Sequence, residues 1–225
     1  MKKEIIDVLE DEDCTICESL DTPFNNSMPE LTPEKKIELI QPRVKEILEI
    51  LGLDTNDSSL SKTPYRVAKM WVKELFYGLS IENKPSVSKF KKNYDYGEMI
   101  VSKNISIFST CEHHLLPIIG KAHVAYFPKN NEVVGLSKIN RIVDFYAKRP
   151  QVQERLTYQI VNEIKSVMQS EDVACVVEAK HLCVNYRGIR DANSSTVTSL
   201  FEGQFKQQTT KEEFLKSISL ETEFG

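Results

Sequence analysis

The chain has 225 residues, 40% apolar and 28% charged, with a formal net charge of −4. That length buries a core without staples, and the balance excludes collagen, low-complexity disorder and disulfide scaffolds. No stretch approaches the ~20 apolar residues of a membrane span, the N-terminus turns acidic without an apolar signal core, and no global basic field invites nucleic acid, so a cytosolic protein is expected.

Residues 1–30 are rich in Asp, Glu, Ser and Asn and read as a mobile acidic arm, with one short helix over 3–10. Cys14 and Cys17 form a lone CxxC there. With no second pair nearby, coincidence outweighs a metal or redox role. Thr32-Pro33 starts a helix, and Ile37, Ile40, Val44, Ile47, Leu48 and Leu51 give its apolar stripe up to Gly52. Pro42 interrupts it as a candidate kink. Thr63-Pro64 opens a second helix, with Val67, Met70, Trp71 and Leu75 inward and Gly78 closing it. Residues 80–97 are polar and Lys-rich, a loop by composition. From Met99 the period becomes two: MIVSKNISIFST and GKAHVAYFP read as paired strands with PIIG between them. Helical patterns follow over Ser137–Ala147 and from Pro150. Two further strands are expected at VACVVEA and HLCVNYR, then a last helix from Thr210 with Glu213 completing a capping box. The order strand, strand, helix, helix, strand, strand makes an α+β fold.

The densest chemical signal is Cys111-Glu112-His113-His114. Cys and His are the donors zinc prefers, and a tight turn aims Cys111 and His114 at one ion. His181-Leu182-Cys183 follows some seventy residues later. On a strand, residues two apart share a face, so His181 and Cys183 would project together. Cys111, His114 and Cys183 would then hold a metal with one position left for water, as in catalytic zinc sites. His113 and His181 flank it as candidate proton carriers. The plain alternative is two core cysteines and scattered histidines. Cys175, in an apolar strand, reads as core, and His123 as a sheet residue.

Five cysteines in a cytosolic chain point to metal or reactivity more than to disulfides. Basic charge gathers from Lys138 to Arg190. In GLSKINR a helix starts with free N–H groups, Ser137 is placed to cap it, and Lys138 and Arg141 add charge. With Lys180, Arg187 and Arg190 near the metal candidate in sequence, the functional reading is a phosphate pocket; the charge alone would sooner be a solvated face, and the proximity to the metal cluster raises the pocket reading.

STCEHHLLPIIGKAHVAYFP, VVGLSKINRIV, RPQVQERLTYQI, HLCVNYRGIRD and KTPYRVAKMW together resemble GTP cyclohydrolase I, over roughly residues 32–220 in order. The resemblance implies a tunnelling fold, a four-stranded antiparallel sheet with two helices between the strand pairs. N-terminal helices over 31–78 would precede a core over about 98–220. It implies ten-subunit particles of two pentamers with sites between subunits. It further implies Zn2+ on Cys111, His114 and Cys183, and catalytic roles for His113 and His181. Glu154 would hold the guanine of GTP. Ser137, Lys138, Arg141 and Arg187 would hold the triphosphate, joined by Arg66 and Lys69 of a neighbour's helix. ANSSTVTSLFEGQFK departs from the Thr-rich family pattern, which leaves that loop open. Two rivals remain. One is a non-catalytic zinc or nucleotide-binding module of the same fold. The other is a sister reductase, which the CEHH and HxC arrangement disfavours because it needs an unligated cysteine.

Overall fold

The computed structural model describes residues 20–94 and 96–220. The helix expected over 3–10 and the Cys14–Cys17 pair lie outside them, as does most of the expected arm.

Helix α1 (Pro33–Ile50) starts as its sequence demands: extended Thr32 accepts the Lys35 N–H on Oγ1 at 3.2 Å. Pro42 does not break it. The bond Pro42 cannot donate is to the Glu38 carbonyl, and both residues are exposed, so that carbonyl faces solvent rather than being buried unpaired. Helix α2 (Thr63–Met70) packs on α1 and runs into a π turn over Trp71–Leu75.

The 80–97 stretch is more than a loop. It holds a 3-10 turn (Ile81–Asn83) and β1 (Lys89–Lys91), and β1 pairs antiparallel with β4 (Glu132–Val134). A three-residue strand is too short to show a period.

Strands β2 (Ile100–Cys111) and β3 (Pro117–Tyr126) are antiparallel, from Ile100↔Tyr126 to Thr110↔Pro117. PIIG is therefore the start of β3, not a connection. A bulge between Ser102 and Ile105 carries Asn104 at φ 59°.

Helix α3 (Leu136–Ala147) follows β4, with Gly135 at its cap position and no side-chain cap bond. Ser137 lies inside the first turn and caps nothing. The expected start at Pro150 is a two-residue strand, β5 (Pro150–Gln151), parallel to the end of β2; α4 (Gln153–Met168) begins after it.

Strand β6 (Val173–His181) is as expected, but its partner is not HLCVNYR. Leu182–Asn185 is a helical turn, α5, and the fourth long strand is β7 (Thr196–Phe201), within the stretch the sequence left open. Helix α6 (Gln208–Ser219) begins before Thr210 with no side-chain cap bond, so the capping box does not form.

The main sheet runs β5-β2-β3-β6-β7, antiparallel except for β5. The long strands and helices follow the expected order with the last strand displaced along the chain, but the sheet has five strands rather than four, the short β5 joining in parallel at its edge. Alternation divides the residues between two layers. Ile105, Ile107, Val124, Cys175 and Val177 face Ile139, Ile142, Val143, Leu156, Ile160 and Ile164 of α3 and α4. Ala125, Ala174 and Val176 face the other way, onto Phe205 and Phe214. Each buried aliphatic or aromatic side chain adds roughly 1.5–3 kcal/mol. Cys175 is fully buried, and burial pushes its thiol pKa up to about 12, as expected of a core cysteine. These layers bring the ends of β2, β5 and β6 together through Cys111↔Gln151 and Ile118↔His181.

Candidate active site

Cys111 ends β2 in a closed turn. Its N–H donates to the Leu116 carbonyl at 2.8 Å, and the Leu115 N–H donates back to the Cys111 carbonyl at 2.9 Å. Leu115 at φ 53° closes the loop and returns His114 towards Cys111. Cys183 arrives differently from the expectation. It sits in the first turn of α5, not on a strand face, and the Cys183 and Val184 N–H groups favour its thiolate. The three side chains still converge: the ligand atoms of Cys111, His114 and Cys183 all lie within 4.8 Å of one another.

This donor set fits a zinc-type cation. Zinc bonds sulfur and nitrogen at about 2.0–2.3 Å, which needs only a small contraction of the group, and soft thiolates select against magnesium and calcium. Cys111 is buried and His114 exposed, so the fourth side opens to solvent. Without a cation the Cys183 thiol is held above its ordinary pKa. Burial is the main cause, then the charge and hydrogen bond of Cys111, with backbone N–H groups opposing. A bound cation reverses that balance.

Around the triad stands a layer of polar side chains. His181, at the end of β6, has Nε2 at 2.7 Å from Gln153 Oε1. Burial lowers its pKa, opposed by the charge of Glu154, so the neutral ring is favoured. His113 is more exposed, with Nδ1 at 3.8 Å from Cys111 Sγ and Nε2 at 4.0 Å from Glu112 Oε1. Glu112 forms an ion pair with Arg155, which is 4% exposed. That pair ties the CEHH turn to α4, whose first turn carries Glu154. Arg187 Nη1 donates to His114 Nε2 at 2.7 Å, which sets a fixed positive charge beside the triad.

The remaining expected residues are elsewhere. The Val134 N–H donates to Tyr126 Oη at 3.1 Å, and Tyr126 pairs with Ile100, so α3 begins at the end of β2 away from Cys111. Ser137 lines a groove along β2 from Val101 to Phe108 with Asn140, which stops ~10 Å of strand short of Cys111. Lys138 donates Nζ to the Ser86 carbonyl at 2.7 Å, and Arg141 is exposed on the same helix. Arg66 and Lys69 are exposed on α2. Within one chain, then, only Arg187 of the expected phosphate residues meets the metal ligands. Sequence reasoning missed Gln153, Arg155 and Glu112. The first two flank Glu154 in RPQVQER, but their roles come from contacts to β6, β7 and the CEHH turn, which no local pattern encodes.

A sequence profile of GTP cyclohydrolase I matches residues 40–219. The chain is 59% identical over 202 residues to GTP cyclohydrolase 1 of Flavobacterium johnsoniae, covering 90% of each chain. It is 46% identical over 207 residues to GTP cyclohydrolase 1 of Salmonella arizonae, covering 92% of this chain and 93% of that one, and likewise to the enzyme of Salmonella newport. A match over most of its length, with a metal-competent triad at the matching motif, makes this chain a member of the GTP cyclohydrolase I family.

Proposed function

We propose that this enzyme hydrolyses GTP, releasing formate and forming 7,8-dihydroneopterin triphosphate, the first step of pterin and folate biosynthesis. The observation that carries this reading is the convergence of Cys111, His114 and Cys183 with His181 and Arg187 at one end of the sheet. Zn2+ fits the donor set and, when bound, supplies Lewis acidity that makes water nucleophilic near neutral pH. Glu154 offers two acceptor oxygens to the adjacent N1–H and 2-amino donors of guanine; adenine has no such pair. Arg187, with Ser137, Lys138 and Arg141, holds the triphosphate through charge-assisted hydrogen bonds. Water adds at C8 of the base while His113 or His181 gives a proton to N7, and the ring opens. A second water releases formate. The ribose then opens, rearranges and closes on the diamine with loss of one water, so the net uptake is one.

The separation of Ser137, Lys138 and Arg141 from the triad supports an oligomer whose sites are shared between chains, with Arg66 and Lys69 contributed by a neighbour's helix. A decamer of two pentamers is the assembly proposed. β2, β3, β6 and β7 with α3 and α4 form the proposed tunnelling-fold core over about 98–220, preceded by N-terminal helices over 31–78 and by the arm. Among the described residues no helix is long and apolar enough to cross a membrane, which agrees with a cytoplasmic setting. The test is incubation with GTP and assay of formate and the pterin. Metal and GTP bound in the absence of formate would instead mark a non-catalytic binding module.

A further inference from the structure

The side-chain amide of Gln153 has only one orientation that its surroundings allow. Gln153 is 2% exposed. Its Nε2 lies 3.1 Å from the Val177 carbonyl, 2.9 Å from the Thr196 carbonyl and 3.2 Å from Thr198 Oγ1. Carbonyl oxygens only accept, so the NH2 group must face them; the flipped amide would set three oxygens against one another. The hydroxyls nearby fix the same polarity. Thr157 Oγ1 donates to the Gln153 carbonyl at 2.9 Å and lies 2.7 Å from Thr198 Oγ1. With its own proton committed, Thr157 must accept from Thr198. Thr198 in turn is left to accept from Gln153.

Oε1 is therefore the atom turned to His181, at 2.7 Å from Nε2. An amide oxygen has no proton to give, so the proton in that bond belongs to the imidazole. We propose that Gln153 is a positioning residue that fixes Nε2 of His181 as a protonated ring nitrogen, its N–H given to the amide oxygen, and leaves Nδ1 as the ring nitrogen available to substrate. The first half stands on contacts alone; the second rests on the proposed role of His181 as a proton carrier. A histidine that transfers protons works only in the tautomer that presents its lone pair to the reacting atom, and the group on its other nitrogen sets which one that is. Here the choice is made by β7, since Thr196 and Thr198 hold the amide that holds the ring.

The test is magic-angle-spinning 15N spectroscopy of the metal-loaded, histidine-labelled protein at pH 8.5. Protonated and bare imidazole nitrogens resonate far apart, and His181→Ala identifies the signals among the four histidines. A protonated Nε2 with a bare Nδ1 is expected; a protonated Nδ1, or an even mixture, overturns the proposal. In Gln153→Met, which keeps the length and removes the acceptor, His181 should become a tautomer mixture with metal content unchanged. kcat should fall roughly 10–100-fold, the usual loss for such supporting partners, with KM for GTP moved less than about twofold. An Nε2–H tautomer persisting in that variant shows that Gln153 does not hold the ring. If Gln153→Met does not fold, the wild-type spectrum decides alone. A wild-type protein with the expected spectrum and no formate production overturns the functional reading and leaves the tautomer assignment standing.

Discussion

Cys183 shows how a ligand is legible while its geometry is not. His181 and Cys183, two apart in HLC, suggest a shared strand face, yet the chain turns helical at Leu182 and the thiol reaches Cys111 from the first turn of α5. Residue type and the chemistry of the cluster carried the inference; the period did not. Cys183→Ser should lower bound zinc from one per chain to near none and abolish turnover, with the circular dichroism of the fold unchanged; elemental analysis checks it. His123 offers a second residue-level test. It is 8% exposed on β3 and its Nδ1 accepts the Asn104 N–H at 3.4 Å. Burial lowers its pKa, helped by Lys121 and Lys103 and opposed by Glu178. The unfolded chain therefore binds this proton more readily than the folded one. The group's contribution is fully present above the unfolded value of about 6.5 and is lost as pH falls towards the depressed folded value. His123→Gln should flatten the fall in Tm below pH 6.5 relative to the parent. An unchanged slope would show that His123 titrates alike in both states.

Long elements with a buried stripe are readable because burial imposes the period; short or edge elements are not. α4, β2 and β6 appear in the sequence for that reason, whereas the apolar stripe of α1 is buried only at Ile37 and Val44, with Ile47 and Leu51 exposed. β7 is not readable: TVTSLF is half Ser and Thr and lies at an edge, paired on one side only with β6. The Thr196 carbonyl and the Thr198 hydroxyl serve the interior of the site through Gln153, while Leu200 and Phe201 pack on the core layers. The β3–β6 pair is the element on which His181 depends, and it has little slack. A Cβ on Gly120 would lie 2.1 Å from the Glu178 carbonyl and 2.5 Å from Ala179 Cβ. Gly120→Ala must push β6 away from β3 at Ala179, two residues before His181. Overpacking of this kind costs about 1–3 kcal/mol or more. Thermal unfolding should register that loss, with kcat falling further than stability alone explains.

At the scale of the molecule, the α3 face with Ser137 and Asn140 lies along β2 short of the metal-competent triad, and the proposed function has the site completed between chains. Chains of Cys183→Ser and Arg141→Ala, each inactive alone, should regain about a quarter of wild-type activity when unfolded and reassembled together, since random pairing unites two intact halves in that fraction. No recovery would place the whole site within one chain. The N-terminal stretch has a consequence of its own. Thr22 is buried; its Oγ1 accepts from Arg149 at 3.1 Å and lies 3.4 Å from Gln159 Nε2. Gln159 in turn accepts from Gln151, which pairs with Cys111. A protease that cuts before Leu20 spares these bonds. One that cuts after Phe24 removes Thr22, the acceptor shared by buried Arg149 and by Gln159, whose own oxygen holds the Gln151 amide beside Cys111, so trimming the tail by a few residues more or less should separate a chain that holds metal tightly from one that holds it weakly.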